Sequence, residues 1–485
     1  MRLSVFLFFL ALYLATTAGH IYTVDSYLNY NVTKSIATRG AIDIPKFMMT
    51  VEGRNGRQYS KLGIGQSLVA LPLYWIGSLI EFTAPGGRVF RAYGDRINVP
   101  SKSGTIVAKA QDLIKLNDLD GARVFFTMLT CAFLTAFAAL VFWSLLRRFG
   151  LSRRGALWGT CLLGFATPFW IYSRDFFAEP LFAACLLASL YMVIDLGKSG
   201  YEKPALLAGL ASSLGILARI SFIPICLIFA GYLAVSAGDI KVGSRKAAWY
   251  GVGCLPGLII QGVLDLVRFG DLFQTGYHTA FDKGFSVPLF KGLWWNLASP
   301  YRSIFIYAPA VILFAFGFRE LLRKRRAEAW LLVAIIVYVF MVYSGWWAWH
   351  GGWCWGPRFL LPAIPLLLLP GLVAARTRPR LIALAAGLGA VGFVVNLAGV
   401  LINYTAPYDY WIQIGKLDWA ENDIQQFSPV AVHLKALTAT SPRLYDLWFI
   451  QAWRFAGWRM LWPGVGLAAV ALLAAHQILR PASKG

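Results

Sequence analysis

The sequence predicts an all-α polytopic membrane protein, with about twelve transmembrane helices plus interfacial and re-entrant helices in the first outer loop. Three observations carry that expectation. Of 485 residues, 58% are hydrophobic and only 14% charged, where a soluble domain keeps about 25% charged. Mean hydropathy is +0.60, and apolar runs recur from one end of the chain to the other. The formal net charge of +22 sits mainly in short clusters between those runs. That is the distribution of topology signals and anionic-headgroup contacts; no recognition motif for nucleic acid accompanies it, so nucleic acid is not expected as a partner, whereas membrane lipids are.

The first apolar run, 3–18, has only Arg2 as a cationic start, and the segment His20 to Asp25 shows no onset of a soluble domain. It reads as a retained first span, not a cleaved signal peptide. Arginine- and lysine-rich short loops mark the cytoplasmic side. Five are plain: Arg147, Arg148, Arg153 and Arg154; Lys198 with Lys203; Lys241, Arg245 and Lys246; Arg319 with Arg323 to Arg326; and Arg376, Arg378 and Arg380. With all five inside, spans fall near 3–19, 121–146, 155–172, 180–196, 204–218, 220–237, 247–267, 303–318, 328–345, 358–375, 381–402 and 457–479, and both termini are cytoplasmic.

One apolar segment, 64–80, would flip every later cluster if it crossed. It is expected to enter and leave on the same face, broken by Gly63, Gly65, Pro72 and Gly77 beside a cavity. The chain then divides into a transmembrane module, 1–402, carrying the first outer loop 20–120; an extracytoplasmic segment, 403–456; and a last helix with a cytoplasmic tail, 457–485. The outer side holds most of the non-membrane mass, and function is expected there. Five of the six cysteines lie in apolar runs, where a thiol is a small inert hydrophobe, and no spacing suggests a disulfide framework or a metal site.

Four outer stretches carry candidate chemistry. Asp25 follows the first span and precedes a helix over 27–39, with Leu28, Val32 and Ile36 on one face and Gly40 as its stop; the plain alternative is a solvated N-cap. Arg57, Tyr59 and Lys61 lie before the 64–80 segment, where cations suit a phosphate or merely anchor to headgroups. Arg174, Asp175 and Glu179 are squeezed between two spans, which is costly unless they pair or face water. Glu179 is nearer the membrane; an Arg174 ion pair with either acid is the bland reading. In the Trp-rich link 346–358, the tryptophans suit the interface, whereas His350, Gly351, Gly352 and Arg358 need another explanation. No Walker loop, zinc spacing or nucleophile elbow is present, which argues against a nucleotide-driven pump and a cytoplasmic nucleotide-sugar enzyme.

In the order of these strings the sequence resembles the GT-C superfamily of membrane glycosyltransferases that use polyprenyl-phosphate sugars. The relevant branch includes protein O-mannosyltransferases, the lipid A aminoarabinose transferase and RgtA/B/C/D-like bacterial enzymes. The resemblance covers most of the chain. It rests on Asp25-Ser-Tyr with the helix to Gly40; on Gly56-Arg57-Gln-Tyr59-Ser60-Lys61; on the stretch from Thr167-Pro168 to Glu179-Pro180; on Ser299-Pro300; and on Gly356-Pro357-Arg358-Phe-Leu-Leu-Pro362. It implies a GT-C-like fold and sugar transfer from a polyprenyl-phosphate donor to an extracytoplasmic acceptor, with inversion. It further implies Asp25 as general base, a second acid for which Glu179 and Asp175 compete with Glu179 the closer match, and Arg57 and Lys61 on the donor phosphate, and Tyr59 and Arg358 fall in with that donor group. Arg174, Asp175 and His350 are possible substrate-site residues. The string after Lys61 lacks the paired prolines common there, and no large soluble C-terminal domain of the oligosaccharyltransferase kind follows. The competing class is a transporter or lipid flippase, which often shows internal repeats; none is visible here. No cofactor is required by these residues; the acids are of the type that binds a divalent cation, but no ligand set has a recognisable spacing.

Overall fold

The computed structural model describes residues 1–47, 49–83, 121–196, 203–277, 283–405, 428–438, 445–450, 452 and 461–480. It is all-α apart from a two-stranded hairpin, β1 (Thr50–Glu52) against β2 (Gln58–Ser60), with Thr50 opposite Ser60. Among the described residues seven helices are long and apolar enough to cross a membrane: α4 (Gly121–Arg148), α6 (Glu179–Leu196), α9 (Ile240–Phe269), α12 (Arg326–Gly345), α13 (Arg358–Ala375), α14 (Pro379–Leu401) and α16 (Trp462–Leu479). Shorter apolar helices are α1 (Arg2–Thr16), α7 (Lys203–Ala218) and α8 (Ile223–Ser236), and α10 (Leu289–Ala298) and α15 (Pro429–Leu437) are shorter still. The outward faces are apolar: Ile259, Leu472 and Leu473 are 61%, 72% and 65% exposed. Water would not tolerate such a surface, and the chain is an integral membrane protein.

Two expected spans are broken rods. The run 155–172 is α5 (Arg153–Phe165), then a separate turn, Phe169–Tyr172, after Pro168. The run 303–318 begins as Ile304–Tyr307 and a 3-10 turn, Pro309–Ile312, and continues as α11 (Leu313–Lys324). In each case proline lacks the amide donor needed by the preceding turn.

The cation clusters converge at one end of the bundle. Arg148 pairs with Asp195; Arg325 donates to the Arg148 carbonyl at 3.4 Å; Arg376 donates to the Phe149 carbonyl at 3.2 Å; Lys246 donates to the Leu196 carbonyl at 2.7 Å. Arg154 reaches the Leu479 carbonyl at 3.4 Å, so the close of α16 lies there too. Because the helices alternate in direction, the links 17–23, 173–178 and 346–357 lie at the opposite end.

α2 (Val24–Arg39) and α3 (Gly65–Phe82) lie at that opposite end. Contrary to the expected break, α3 is one continuous helix with Pro72 inside it. Its start meets the close of α7 and its end meets the start of α4, where Glu81 accepts from the Ala122 amide at 2.8 Å. Both contacts are at the same end, so α3 does not run through to the cation clusters. The approach to α7 explains one glycine: a Cβ on Gly63 would lie 2.4 Å from the carbonyl oxygens of Leu217 and Ala218. Trp75, Ile76, Leu79 and Phe82 are left exposed on α3, as suits a helix lying in an interface.

Candidate functional site

Four charged side chains meet where α2, α6, α7 and α13 come together. Arg358, the first residue of α13, has its Nη2 2.8 Å from Oδ2 of Asp25 and its Nε 3.0 Å from Oε1 of Glu179. Arg219, in the link after α7, donates from Nη2 to the same Glu179 oxygen at 2.6 Å. The guanidinium of Arg358 lies over Phe177 at 4.2 Å and Phe359 at 4.7 Å, and that of Arg219 over Phe359 at 4.7 Å. Planar cations stacked on aromatic faces keep their forks turned toward the acids. Glu179 is 2% exposed, and its Oε2 has no hydrogen-bond partner. Asp25 is 14% exposed and borders a small cleft with Asn29, Leu62, Gly63, Phe177, Ala178, Ala218, Arg219 and Tyr277.

Local structure fixes these groups. α2 is capped by Thr23, whose hydroxyl accepts from the Ser26 amide at 3.3 Å, so Asp25 is not the N-cap. α2 then docks onto the 173–178 link. Ser26 donates to Asp175 at 2.5 Å, and Asn29 donates to the Phe176 carbonyl at 3.0 Å. The Tyr404 hydroxyl and the Phe176 amide also donate to Asp175. Burial pushes the Asp175 carboxyl up to about 6, against the pull of those hydrogen bonds. With both oxygens engaged by the protein, Asp175 is a splint between α2 and the link carrying Glu179.

Arg174 pairs with neither neighbouring acid. Its Nη2 donates to Asp446 Oδ2 at 3.0 Å and to the Tyr22 hydroxyl oxygen at 2.8 Å, and its Nη1 donates to the Val400 carbonyl. His20 Nε2 is 2.8 Å from the other Asp446 oxygen. Burial would raise the Asp446 carboxyl, but His20, Arg174 and the Tyr22 hydroxyl hold it below its ordinary value. Through Asp446, held by His20 and Tyr22, and Trp448, whose indole donates to the Leu14 carbonyl at 2.9 Å, the stretch 446–448 is fastened to the close of α1 and the loop after it. Trp411, Trp419 and Phe427 of the same segment lie outside the described residues.

The donor-side candidates separate. Lys61 is 7% exposed and precedes the cleft residues Leu62 and Gly63; its Nζ lies over the Tyr277 ring at 5.5 Å. Tyr59 is buried in the hairpin, its ring 6.2 Å from that of Phe269. Arg57 is 62% exposed, 3.8 Å from Asp43, and does not line the cleft. His350 accepts from the Gly352 amide at 3.0 Å, and burial together with the charges of Arg302 and Arg358 pushes it down to about 3. It is neutral at ordinary pH. Gly351 takes φ +72°, and a Cβ there would lie 3.0 Å from Cys354 Sγ and 3.2 Å from Arg358 Cβ. The glycine thus lets the Trp-rich link fold directly over Arg358.

Sequence reasoning brought Asp25, Glu179 and Arg358 forward, and they are in contact. It passed over Arg219, Asp446, Tyr404 and Tyr277. Arg219 had a signal: a lone arginine between two apolar runs, at the end opposite the cation clusters.

No protein-family profile matches the sequence, and no curated protein sequence matches it. The fold does match solved structures. ArnT from Cupriavidus metallidurans bound to undecaprenyl phosphate aligns over 99% of this chain and 77% of its own, with TM-score 0.52 and 14% identity. The apo form of that protein aligns over 98% and 76%, again with TM-score 0.52 and 14% identity. The archaeal oligosaccharyltransferase AglB from Archaeoglobus fulgidus, in complex with an inhibitory peptide and a dolichol-phosphate, aligns over 93% and 55%, with TM-score 0.41 and 11% identity. The chain therefore shares the fold of ArnT across nearly its whole length.

Proposed function

We propose that the chain is a membrane glycosyltransferase that moves a sugar from a polyprenyl-phosphate donor to an extracytoplasmic acceptor, a lipid, glycan or protein, with inversion at the sugar carbon. The observation that carries this reading is Arg358 held between Glu179 and Asp25, the acid that borders a cleft. Sugar transfer from a phosphate needs cations where negative charge develops on the leaving group and a base within reach of the acceptor proton. Lys61 and Arg358 supply the first, with Arg57 and Tyr59 on the approach to Lys61. Asp25 supplies the second. In this reading the incoming phosphate competes with Asp25 for Arg358 and releases the carboxylate to act as base. Glu179, locked to Arg219, keeps Arg358 in the site while that exchange happens. The fold shared with ArnT, which was solved with undecaprenyl phosphate bound, supports a lipid-phosphate donor. The convergence of the cation clusters at the other end supports an extracytoplasmic site in the plasma or inner membrane.

The experiment is to reconstitute the full chain in liposomes with a panel of polyprenyl-phosphate sugars and envelope extracts as acceptor. Donor consumption with release of polyprenyl phosphate is expected for at least one sugar. A folded protein that consumes none of them, yet moves the intact donor across the bilayer, would make the flippase reading correct instead.

A further inference from the structure

A second concave feature lies at the cation end, far from Asp25 and independent of the function proposed for it. This cleft of about 390 Å³ is lined by Arg2, Trp143, Arg147, Arg148, Arg153 and Tyr191 among its neighbours. Its size is within the roughly 300–1,000 Å³ of small-ligand sites. Its walls are the start of α1, the close of α4, the start of α5 and the close of α6.

The cleft's charges do not cancel. Arg148 pairs with Asp195, and Arg147 donates to the Leu151 carbonyl. Arg2 reaches only the Tyr191 hydroxyl, at 3.5 Å, and among the described residues neither Arg2 nor Arg153 has an acidic partner. A second observation points the same way. Trp143 is 5% exposed, and among the described residues its buried indole Nε1 has no hydrogen-bond partner. Trp143 lines the cleft, and an acceptor entering beside these cations would satisfy that donor. The cleft opens at the ends of apolar helices, the depth at which lipid headgroups lie, and basic pockets there recruit anionic lipids.

We infer that this cleft binds the phosphodiester headgroup of an anionic glycerophospholipid. Arg2 and Arg153 supply the uncompensated charge, Arg147 and Arg148 shape the wall, and the Trp143 indole donates to a phosphate oxygen.

The test uses the purified full chain in nanodiscs of phosphatidylcholine with or without phosphatidylglycerol, read by native mass spectrometry and by titration with fluorescent phosphatidylglycerol. Wild type is expected to retain phosphatidylglycerol in preference to phosphatidylcholine. Arg2→Gln and Arg153→Gln are each expected to weaken binding about fivefold, the effect of one surface cation on an anionic lipid. Trp143→Phe keeps the ring and removes the donor, and is expected to weaken binding in a protein that melts like wild type. Arg380→Gln, at the same end but outside the cleft, is expected to change nothing. Equal retention of the two lipids overturns the inference. So does an Arg380→Gln loss as large as that of Arg153→Gln, which would mean diffuse attraction. Displacement of the lipid by an equal concentration of inorganic phosphate would reassign the cleft to a soluble anion.

Discussion

The two ends of the helix bundle use the same side chain in opposite ways. At the cation end, arginines are exposed or half-buried and settle on helix-terminal carbonyls or surface acids; Arg378, 49% exposed, meets Glu320 at 3.0 Å. At the other end, Arg174 and Arg358 are 1% and 7% exposed, and each is wedged between acids, aromatic rings or carbonyls. An exposed pair is worth little, about 0–1 kcal/mol. A buried one must recover a desolvation cost of several kcal/mol per ion. Arginine at the first end is therefore a topology signal, whereas at the second it is retained for what it holds. The second end itself divides. Asp25 and Arg219 border a cleft and hold Arg358 and Glu179 behind them, whereas the Asp446 and Asp175 oxygens and the two terminal nitrogens of Arg174 are engaged by the protein.

Two substitutions sharpen that division. Asp25→Asn keeps the size of the group and removes its basicity. Transfer is expected to fall by about 10²–10⁴, the usual contribution of a general base, with donor binding and melting temperature kept. Turnover near wild type in the folded variant would remove Asp25 as base, and Glu179 would be tested next. Arg174→Met is expected to act on stability. It takes the guanidinium from the Asp446 carboxylate, which is 10% exposed and keeps His20 and the Tyr22 hydroxyl, so the cost is expected to reach at most the roughly 3–5 kcal/mol of breaking a buried pair. The readout is the apparent unfolding temperature in detergent. A variant that melts like wild type but loses donor binding would place Arg174 in the substrate site.

This division was only partly legible in the sequence. Which stretches span and which loops share an end follow from local features, namely apolar length and nearby cations, and these are readable without an alignment. Proline was a weaker guide. Pro168 and Pro309 interrupt runs that read as straight spans, while Pro72 leaves α3 intact. Neighbouring elements decide whether a freed carbonyl finds another partner. The pairing of charges was least accessible. Arg174 lies beside two acids in the chain, yet its partner is Asp446, 272 positions away. Proximity in sequence suggested the wrong pair because the link 173–178 turns Asp175 toward Ser26 and Tyr404 instead.

The clasp around Asp446 also predicts a pH dependence. Burial draws His20 down, but the Asp446 charge and their hydrogen bond outweigh it and raise the imidazole above its ordinary 6.5. A group bound more tightly to its proton in the folded state stabilises fully below 6.5, and that stabilisation fades as pH rises through the raised value. Asp446 runs the other way: its contribution is present above the ordinary carboxylate value and is lost as pH falls through the lowered one. His20→Gln is therefore expected to cost about 1.5–3 kcal/mol near pH 6, the range for hydrogen bonds to charged groups. The cost should shrink as pH rises from 6.5. Thermal melts of both proteins across pH test it. A difference that stays constant through the alkaline range would mean that His20 is neutral in the fold.

The smallest effect belongs to the cation end. Lys324 is 57% exposed and pairs with Glu320 at 2.7 Å, one helical turn earlier in α11. The order, with the acid N-terminal to the base, is the favourable one for such a pair. Glu320 also has Arg378, so Lys324→Ala leaves the carboxylate a cation at 3.0 Å. Water and salt compete for both groups, and the lysine regains side-chain entropy when the contact is lost. Lys324→Ala is therefore expected to cost no more than about 0.5 kcal/mol, and less still in high salt. The measurement is the same detergent melt used for Arg174→Met, run at low and high ionic strength. A loss comparable to that of Arg174→Met, persisting in salt, would show that the cation end also rests on a buried network and would erase the contrast between the two ends.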